Sequence, residues 1–205
     1  DKDWKELKPK RDMLRHQFEI EKDATCFMFC GKFIDKKRPG DIVEAFLKAQ
    51  SHSDAPMHLL MVGDGKRKAL VEAQIPDHAP ITFTGFLNQT EIGEAYAAAD
   101  VVVLPSNYGE TWGLVVNEAM VFSTAALISD RVGCGPDLIT EGKTGFTFPF
   151  GDIEAFAARM ESMAEAPEQT AEMGRQARKR VCSRYTVEQA AEGIARAAID
   201  SYHSS

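Results

Sequence analysis

Six short apolar runs punctuate this chain, and between them lie longer stretches whose apolar residues recur every three or four positions. The runs are TCFMFC (25–30), MHLLMV (57–62), ITFTG (81–85), DVVVL (100–104), AALIS (125–129) and TGFTF (144–148). Several are apolar at nearly every position, the pattern of strands buried on both faces of a parallel sheet. The segments DIVEAFLKAQ, KRKALVEAQ, QTEIGEAYAAA and LVVNEAMVF each carry one apolar stripe, as one-sided helices do. This repeated alternation predicts an α/β domain, Rossmann-like, with a doubly wound parallel sheet of about six strands. Past residue 150 only helical spacing remains, with starts at Gly151 or Asp152 and after Pro167. A last helix is expected to be capped by Thr186, with Glu188 and Gln189, and to end near Tyr202.

With 205 residues, 44% of them apolar, the chain is long enough for one substantial core. The expected division is a linker or N-terminal helix over 1–24 and one domain with its helical tail over 25–205. Lys and Arg number 24 against 31 Asp and Glu, a net charge of -7, which argues against nucleic acid as a partner and against an anionic membrane surface. No apolar run approaches the roughly 18 residues of a spanning helix. The opening DKDWKELKPKR lacks the apolar stretch of a signal peptide, and Cys26, Cys30, Cys134 and Cys182 are scattered. A cytoplasmic location is expected, with membrane association through a domain outside this sequence left open. Residue 1 is Asp and the first Met is Met13, so the sequence reads as a piece of a longer protein.

Ligands of open parallel sheets bind beyond the carboxyl ends of the strands, so function is sought where each strand exits. The first exit, GKFIDKKRPGD, sets Lys32, Lys36, Lys37 and Arg38 against Asp35 in an otherwise acidic chain. That is a local site for anions, although a solvated loop would read alike. The second, GDGKRK (63–68), has two glycines of a dinucleotide fingerprint but Lys68 in place of the third, so a tight turn explains it equally well.

The fourth exit, PSNYGETWGLVVNEA (105–119), is the most informative. Thr111 is expected to cap a helix with Gly113 in its first turn, whose free N–H groups would favour an anion. Glu110 stands at its mouth and Glu118 two turns in; a rise of about 1.5 Å per residue puts them on the order of 10 Å apart. Retaining glycosidases need roughly 5 Å between paired carboxylates and inverting ones about 6.5 to 9.5 Å. The two glutamates therefore read as clamps on separate points of an elongated ligand, such as a sugar, a diphosphate and a ribose in a row. Glu118 also fits an ordinary polar helix position, but Val115, Val116, Ala119, Met120 and Phe122 leave it little polar face to join.

Other chemistries find less support. The fifth exit, DRVGCGPDLI (130–139), offers Gly133 and Gly135 for a close backbone approach beside the same cleft, with Pro136 as first helical residue. EGKTG (141–145) lacks the upstream glycine of a P-loop, where Asp137 stands. His16, His52, His58, His78 and His203 show no metal-ligand spacing, so no metal is expected. Cys26 and Cys30 fit the core of the first strand. Ser106 lacks the frame of a nucleophile elbow. D-x-D occurs only as Asp1 and Asp3, leaving Lys32 and Lys37 to neutralise a diphosphate.

Taken together, Gly31 to Lys37, VGDG (62–65), FTGFLNQTEIGEAYAAADVVVLPS and Glu110 to Glu118 resemble the G-R/K-x4-K element, second glycine turn, third and fourth units and E-x7-E motif of one family. The sequence is similar, over about residues 25 to 200, to the C-terminal nucleotide-sugar-binding domain of GT-B glycosyltransferases of family 4, glycosyl transferases group 1. The resemblance implies a hexosyltransferase that retains anomeric configuration without a metal or other cofactor, taking a nucleotide diphosphate sugar as substrate. It implies that Lys32 and Lys37 bind the donor diphosphate, Glu110 the sugar hydroxyls and Glu118 the ribose. Backbone N–H groups of Thr111, Trp112, Gly113 and Leu114 would meet the sugar and distal phosphate, and Phe86 would edge the base. Lys32, Lys37 and Glu110 are the catalytic candidates, through electrostatic support of the departing diphosphate. A missing N-terminal domain of roughly 150 or more residues would complete the enzyme and bind an unknown acceptor. Two departures stand out. Lys32 replaces a commoner Arg, and Ser123, Thr124 and Ala125 replace a G-x-P, a change expected to touch the entry to strand five more than the ligand. The competing readings are a nucleotide or nucleotide-sugar binding module without turnover and a GT-B nucleotide-sugar epimerase.

Overall fold

The computed structural model describes residues 2–186 together with 189, 191, 195 and 196. Six parallel strands, β1 (Thr25–Cys30), β2 (Met57–Val62), β3 (Ile81–Gly85), β4 (Val101–Leu104), β5 (Ala125–Ser129) and β6 (Gly145–Phe148), coincide with the six apolar runs. They are ordered β3-β2-β1-β4-β5-β6. The chain therefore winds outward from β1 to β3, returns, and winds the other way from β4, so the direction reverses between β1 and β4. In register, Phe27 pairs with Val101 and Met28 with Val102 across that point. The neighbouring exits of β1 and β4 thus flank the crevice where doubly wound sheets take their ligands.

The helices are α1 (Lys2–Leu7), α2 (Arg11–Gln17), α3 (Pro39–His52), α4 (Lys68–Glu72), α5 (Ile92–Ala98), α6 (Leu114–Val121), α7 (Gly135–Leu138), α8 (Ile153–Glu165) and α9 (Pro167–Arg184). α3 packs on α8 and β2, whereas α6 packs on α9 and β4, and α5 on β1 and α2. Strands covered this way are largely apolar: β2, β4 and β5 are buried at every position, with His58 and Ser129 as buried polar members. Each large buried side chain contributes about 1.5 to 3 kcal/mol. Phe148 and Phe156 join β6 to α8 as a parallel stack, centroids 4.1 Å apart.

Helix starts follow local chemistry in part. Asp152 accepts a hydrogen bond from the Ala155 N–H at 2.9 Å and caps α8, and Pro167 opens α9. Thr186 Oγ1 accepts from the Gln189 N–H and Gln189 Oε1 accepts from the Thr186 N–H, both at 3.3 Å, a reciprocal capping box. Most of the helix expected beyond it, with Glu188 and Tyr202, lies outside the described residues.

Residues 2–17 are mostly helical and are fastened to the amino ends of the strands. Buried Arg15 donates to Asp100 Oδ2 at 3.0 Å and to the carbonyls of Ala98 and Glu21 at 3.1 and 2.8 Å. Arg11 donates to Asp100 Oδ1 at 2.6 Å, and Asp100 Oδ2 also accepts the Cys26 N–H at 2.9 Å. The departure at Ser123 to Ala125 lies on this same edge, at the entry to β5. Ser123 adopts φ 62, and its carbonyl would lie 1.9 Å from a Cβ added at Gly174 of α9. This is packing between α9 and the sheet, as expected.

Candidate nucleotide-sugar site at the switch point

β1 leaves the sheet into Gly31 and the turn Asp35–Lys37, and β4 leaves into residues 105–113. The two exits meet in an ion pair. Lys37 Nζ donates to Glu110 Oε2, and Lys36 Nζ stands 3.9 Å from the same oxygen. Lys36 also lies over Gly109, where an added Cβ would come within 3.3 Å of its Cε. Lys37 and Glu110 are therefore neighbours across the crevice, on the edge where the lysines of the first exit and the loop before α6 were expected to converge. Lys32 is on the same exit, exposed, and makes no side-chain ion pair or hydrogen bond among the described residues.

The start of α6 differs from the expected one. Thr111 does not cap the helix: Gly113 occupies the N-cap position at φ 101, ψ 58, without a side-chain cap, and the helix begins at Leu114. Glu110 to Gly113 form an irregular loop, so the helical rise used to space Glu110 from Glu118 applies only from Leu114 onward. A left-handed backbone at Gly113 explains the difference, because it breaks the helix after a threonine whose residue type alone favours a cap.

That loop is held from behind by the exit of β5. The Gly133 N–H donates to the Glu110 carbonyl at 3.0 Å, and the Cys134 N–H donates to the Trp112 carbonyl at 2.9 Å. A Cβ at Gly133 would lie 1.9 Å from the Thr111 carbonyl oxygen, so only glycine permits this approach. Gly133 was expected beside the cleft; it forms the wall that shapes the Glu110 loop. Burial pushes the Cys134 thiol up to about 12, with the nearby Glu110 charge adding to the effect.

The turn reading of GDGKRK accounts for both glycines. A Cβ at Gly63 would lie 2.0 Å from the Gly31 carbonyl oxygen, and one at Gly65 would lie 2.7 Å from that of Phe33. Asp35 pairs with Arg67 and, at 3.7 Å, with Lys66, and the Arg67 partner holds its carboxyl below the usual range. Lys66 and Arg67 of the second exit are thereby tied to the first, whereas Lys68 pairs with Glu72 at 3.8 Å within α4.

Glu118 lies one turn inside α6, and its Oε2 accepts a 2.8 Å hydrogen bond from the buried Tyr96 hydroxyl. The Cys30 thiol, at the end of β1, lies against the same hydroxyl; burial, with a smaller push from Glu118, raises it to about 11. Cys26 is core as expected, but Cys30 is half-buried and belongs to the crevice. Tyr96 was not singled out from sequence, because an aromatic residue in the alanine-rich face of α5 reads as packing. Arg131 was missed as well: its guanidinium sits 4.8 Å from the Tyr108 ring centroid and 4.5 Å from that of Phe150, making a cationic stack on the same carboxyl edge.

Phe86 follows β3 and is 78% exposed, Tyr108 is 74% exposed and Leu114 is 68% exposed, so large apolar surfaces face outward along the strand exits. Trp112 is half-buried and packs on Tyr185, centroids 6.1 Å apart. Among the described residues no cluster of three or more His, Cys, Asp or Glu could hold a metal ion. No described helix is long and apolar enough to cross a membrane.

The sheet order and this crevice define a Rossmann-like domain of the kind that forms the C-terminal half of GT-B glycosyltransferases. The chain belongs to the family Glycosyl transferases group 1, whose profile matches residues 10–180. It is 39% identical over 124 residues to sulfoquinovosyl transferase SQD2 of Arabidopsis thaliana, covering 59% of this chain and 24% of that one. It is 31% identical over 186 residues to N-acetyl-alpha-D-glucosaminyl L-malate synthase of Bacillus anthracis, covering 87% of this chain and 47% of that protein. A structure of Anabaena Alr3699/HepE in complex with UDP-glucose superposes with a TM-score of 0.78 at 19% identity, covering 94% of this chain and 53% of that one. The chain thus spans about half or less of the length of these relatives.

Proposed function

We propose that this chain is the donor-binding half of a retaining glycosyltransferase that moves a sugar from a nucleotide diphosphate sugar to an acceptor held by an N-terminal domain. The observation that carries the reading is the Lys37–Glu110 ion pair bridging the β1 and β4 exits. It sets an ammonium suited to a diphosphate beside a carboxylate suited to sugar hydroxyls. Family membership supports it, as does the UDP-glucose bound by HepE on the same fold. In this reading Lys37 and Lys32 take the diphosphate, with Lys36 beside them. Glu118 takes the ribose, the N–H groups of residues 111–114 meet the distal phosphate and sugar, and Phe86 borders the base.

The chemistry assigned to the domain is electrostatic. As the bond from sugar to diphosphate breaks, negative charge grows on the leaving phosphate, and fixed cations and backbone N–H groups stabilise it more than they stabilise the bound donor. The lysines are proposed to neutralise that charge without a metal or other cofactor. Glu110 and Glu118 engage different partners, Lys37 and Tyr96, which supports separate clamping roles over a paired acid and nucleophile.

A thermal-shift panel of UDP, GDP and ADP, each alone and as its hexose conjugate, tests the proposal. One nucleotide series should raise the melting temperature, since a ligand at a hundred times its Kd adds about 2.7 kcal/mol to stability. No shift from any of them at millimolar concentration would overturn the reading.

A further inference from the structure

Glu118 is set on an exposed part of α6, where a glutamate ordinarily samples many rotamers. Here the Tyr96 hydroxyl holds one of its oxygens at 2.8 Å. Tyr96 is itself fixed: its ring is buried and packs on Phe122 with centroids 5.5 Å apart, and its hydroxyl meets Glu118 and the Cys30 thiol at the end of β1. Burial, with the Cys30 and Glu118 neighbours, raises the phenol far above its ordinary range, so the proton stays on Tyr96 and the carboxylate remains the acceptor. A carboxylate with one lone pair occupied by a rigid donor keeps its other lone pairs aimed outward, which is what a vicinal diol needs.

We propose that Tyr96 is a positioning residue that presents Glu118 to the ribose hydroxyls of the nucleotide and thereby sets the preference for ribo- over deoxyribonucleoside diphosphates. The inference rests on the assignment of Glu118 to the ribose. Tyr96 does not touch the ligand; it acts by holding Glu118 in one orientation before the ligand arrives.

The test is calorimetric titration of the chain with UDP, GDP and ADP, with the 2′,3′-dideoxy form of each, and with pyrophosphate. Tyr96→Phe keeps the ring against Phe122 and removes only the hydroxyl. It should weaken the ribonucleotide that binds wild type roughly tenfold, the effect of losing one hydrogen bond that orients a charged group. The dideoxy form and pyrophosphate should change less than about twofold. In a Glu118→Ala background, Tyr96→Phe should have no further effect on the preference, which a general packing defect would not reproduce. Equal losses for all three ligands would overturn the inference by marking Tyr96 as structural. If wild type prefers the ribonucleotide and Glu118→Ala abolishes that preference while Tyr96→Phe preserves it, the inference fails and the ribose assignment stands. If wild type binds ribo and dideoxy forms alike, the assignment of Glu118 fails and the inference with it.

Discussion

The ammonium of Lys37 is paired with the carboxylate of Glu110, 73 residues further along the chain, across the point where the strand order reverses. A donor diphosphate entering this crevice must compete with Glu110 for Lys37. Glu110→Gln removes the competitor's charge, so it should bind pyrophosphate and bare nucleoside diphosphate at least as tightly as wild type, while losing the added affinity for the sugar-bearing donor. Weaker binding of bare nucleotide by the variant, measured by calorimetry, would assign Glu110 to the nucleotide instead.

Lys32 is exposed and unpaired among the described residues, so its truncation exposes no partner and changes only ligand contacts. Lys32→Ala should weaken nucleoside diphosphate binding by about 1.5 to 3 kcal/mol, the usual worth of a charged hydrogen bond, at unchanged melting temperature. Unchanged affinity would remove Lys32 from the site.

Gly133 connects backbone packing to the site, because its missing Cβ lets the Thr111 carbonyl approach. Gly133→Ala should cost about 1 to 3 kcal/mol of stability through overpacking and also weaken donor binding by displacing residues 110–112. Gly135→Ala is the control, since its Cβ would meet only Ile128 at an ordinary 3.7 Å. Paired melting curves and titrations of both variants check this; equal tolerance of the two substitutions would contradict it.

His58 is buried on β2, its Nε2 3.1 Å from the Thr82 hydroxyl, and burial with the nearby Arg15 charge lowers its pKa to about 4. The folded state therefore holds His58 neutral where the unfolded chain, with a pKa near 6.5, takes up a proton. The unfolded state binds more protons between about pH 6.5 and 4, so stability contributed here is present above pH 6.5 and is lost as pH falls, by at most about 1.4 kcal/mol per pH unit. Urea unfolding across that window should show a steeper acid decline in wild type than in His58→Gln. Parallel declines would contradict the assignment.

Asp100 serves two arginines and the Cys26 N–H at once. Asp100→Asn should destabilise the fold by about 2 to 3 kcal/mol, below the full value for a buried pair because the carboxylate is partly exposed. Since Asp100 lies at the amino ends of the strands, ligand affinity at the carboxyl edge should be unchanged. Denaturant titration reads the first effect and calorimetry the second, and a loss under about 0.5 kcal/mol would show that the network adds little.

The six strands were legible because burial on both faces demands continuous apolar runs, and VVVL or MHLLMV admits few other readings. Local spacing alone does not show that β1 and β4 are neighbours, which depends on how the crossovers stack; the carboxyl-edge rule nevertheless pointed to one shared site for the lysines of the first exit and the loop before α6. Thr111 misled because a residue's capping preference is local, whereas the start of α6 is set by the left-handed Gly113 and the Gly133 wall. Tyr96 was invisible because its ring obeys the apolar period of α5 while its hydroxyl serves another helix. The departure at Ser123 was read correctly as packing, since it sits at a strand entry and faces Gly174.

A crystal structure of this chain with the nucleoside diphosphate selected by the thermal-shift panel would show directly where the diphosphate sits. The diphosphate is expected over the β1 and β4 exits, with Lys37 Nζ turned from Glu110 to a phosphate oxygen and the ribose on Glu118. A nucleotide bound elsewhere, with the Lys37–Glu110 pair intact, would contradict that placement.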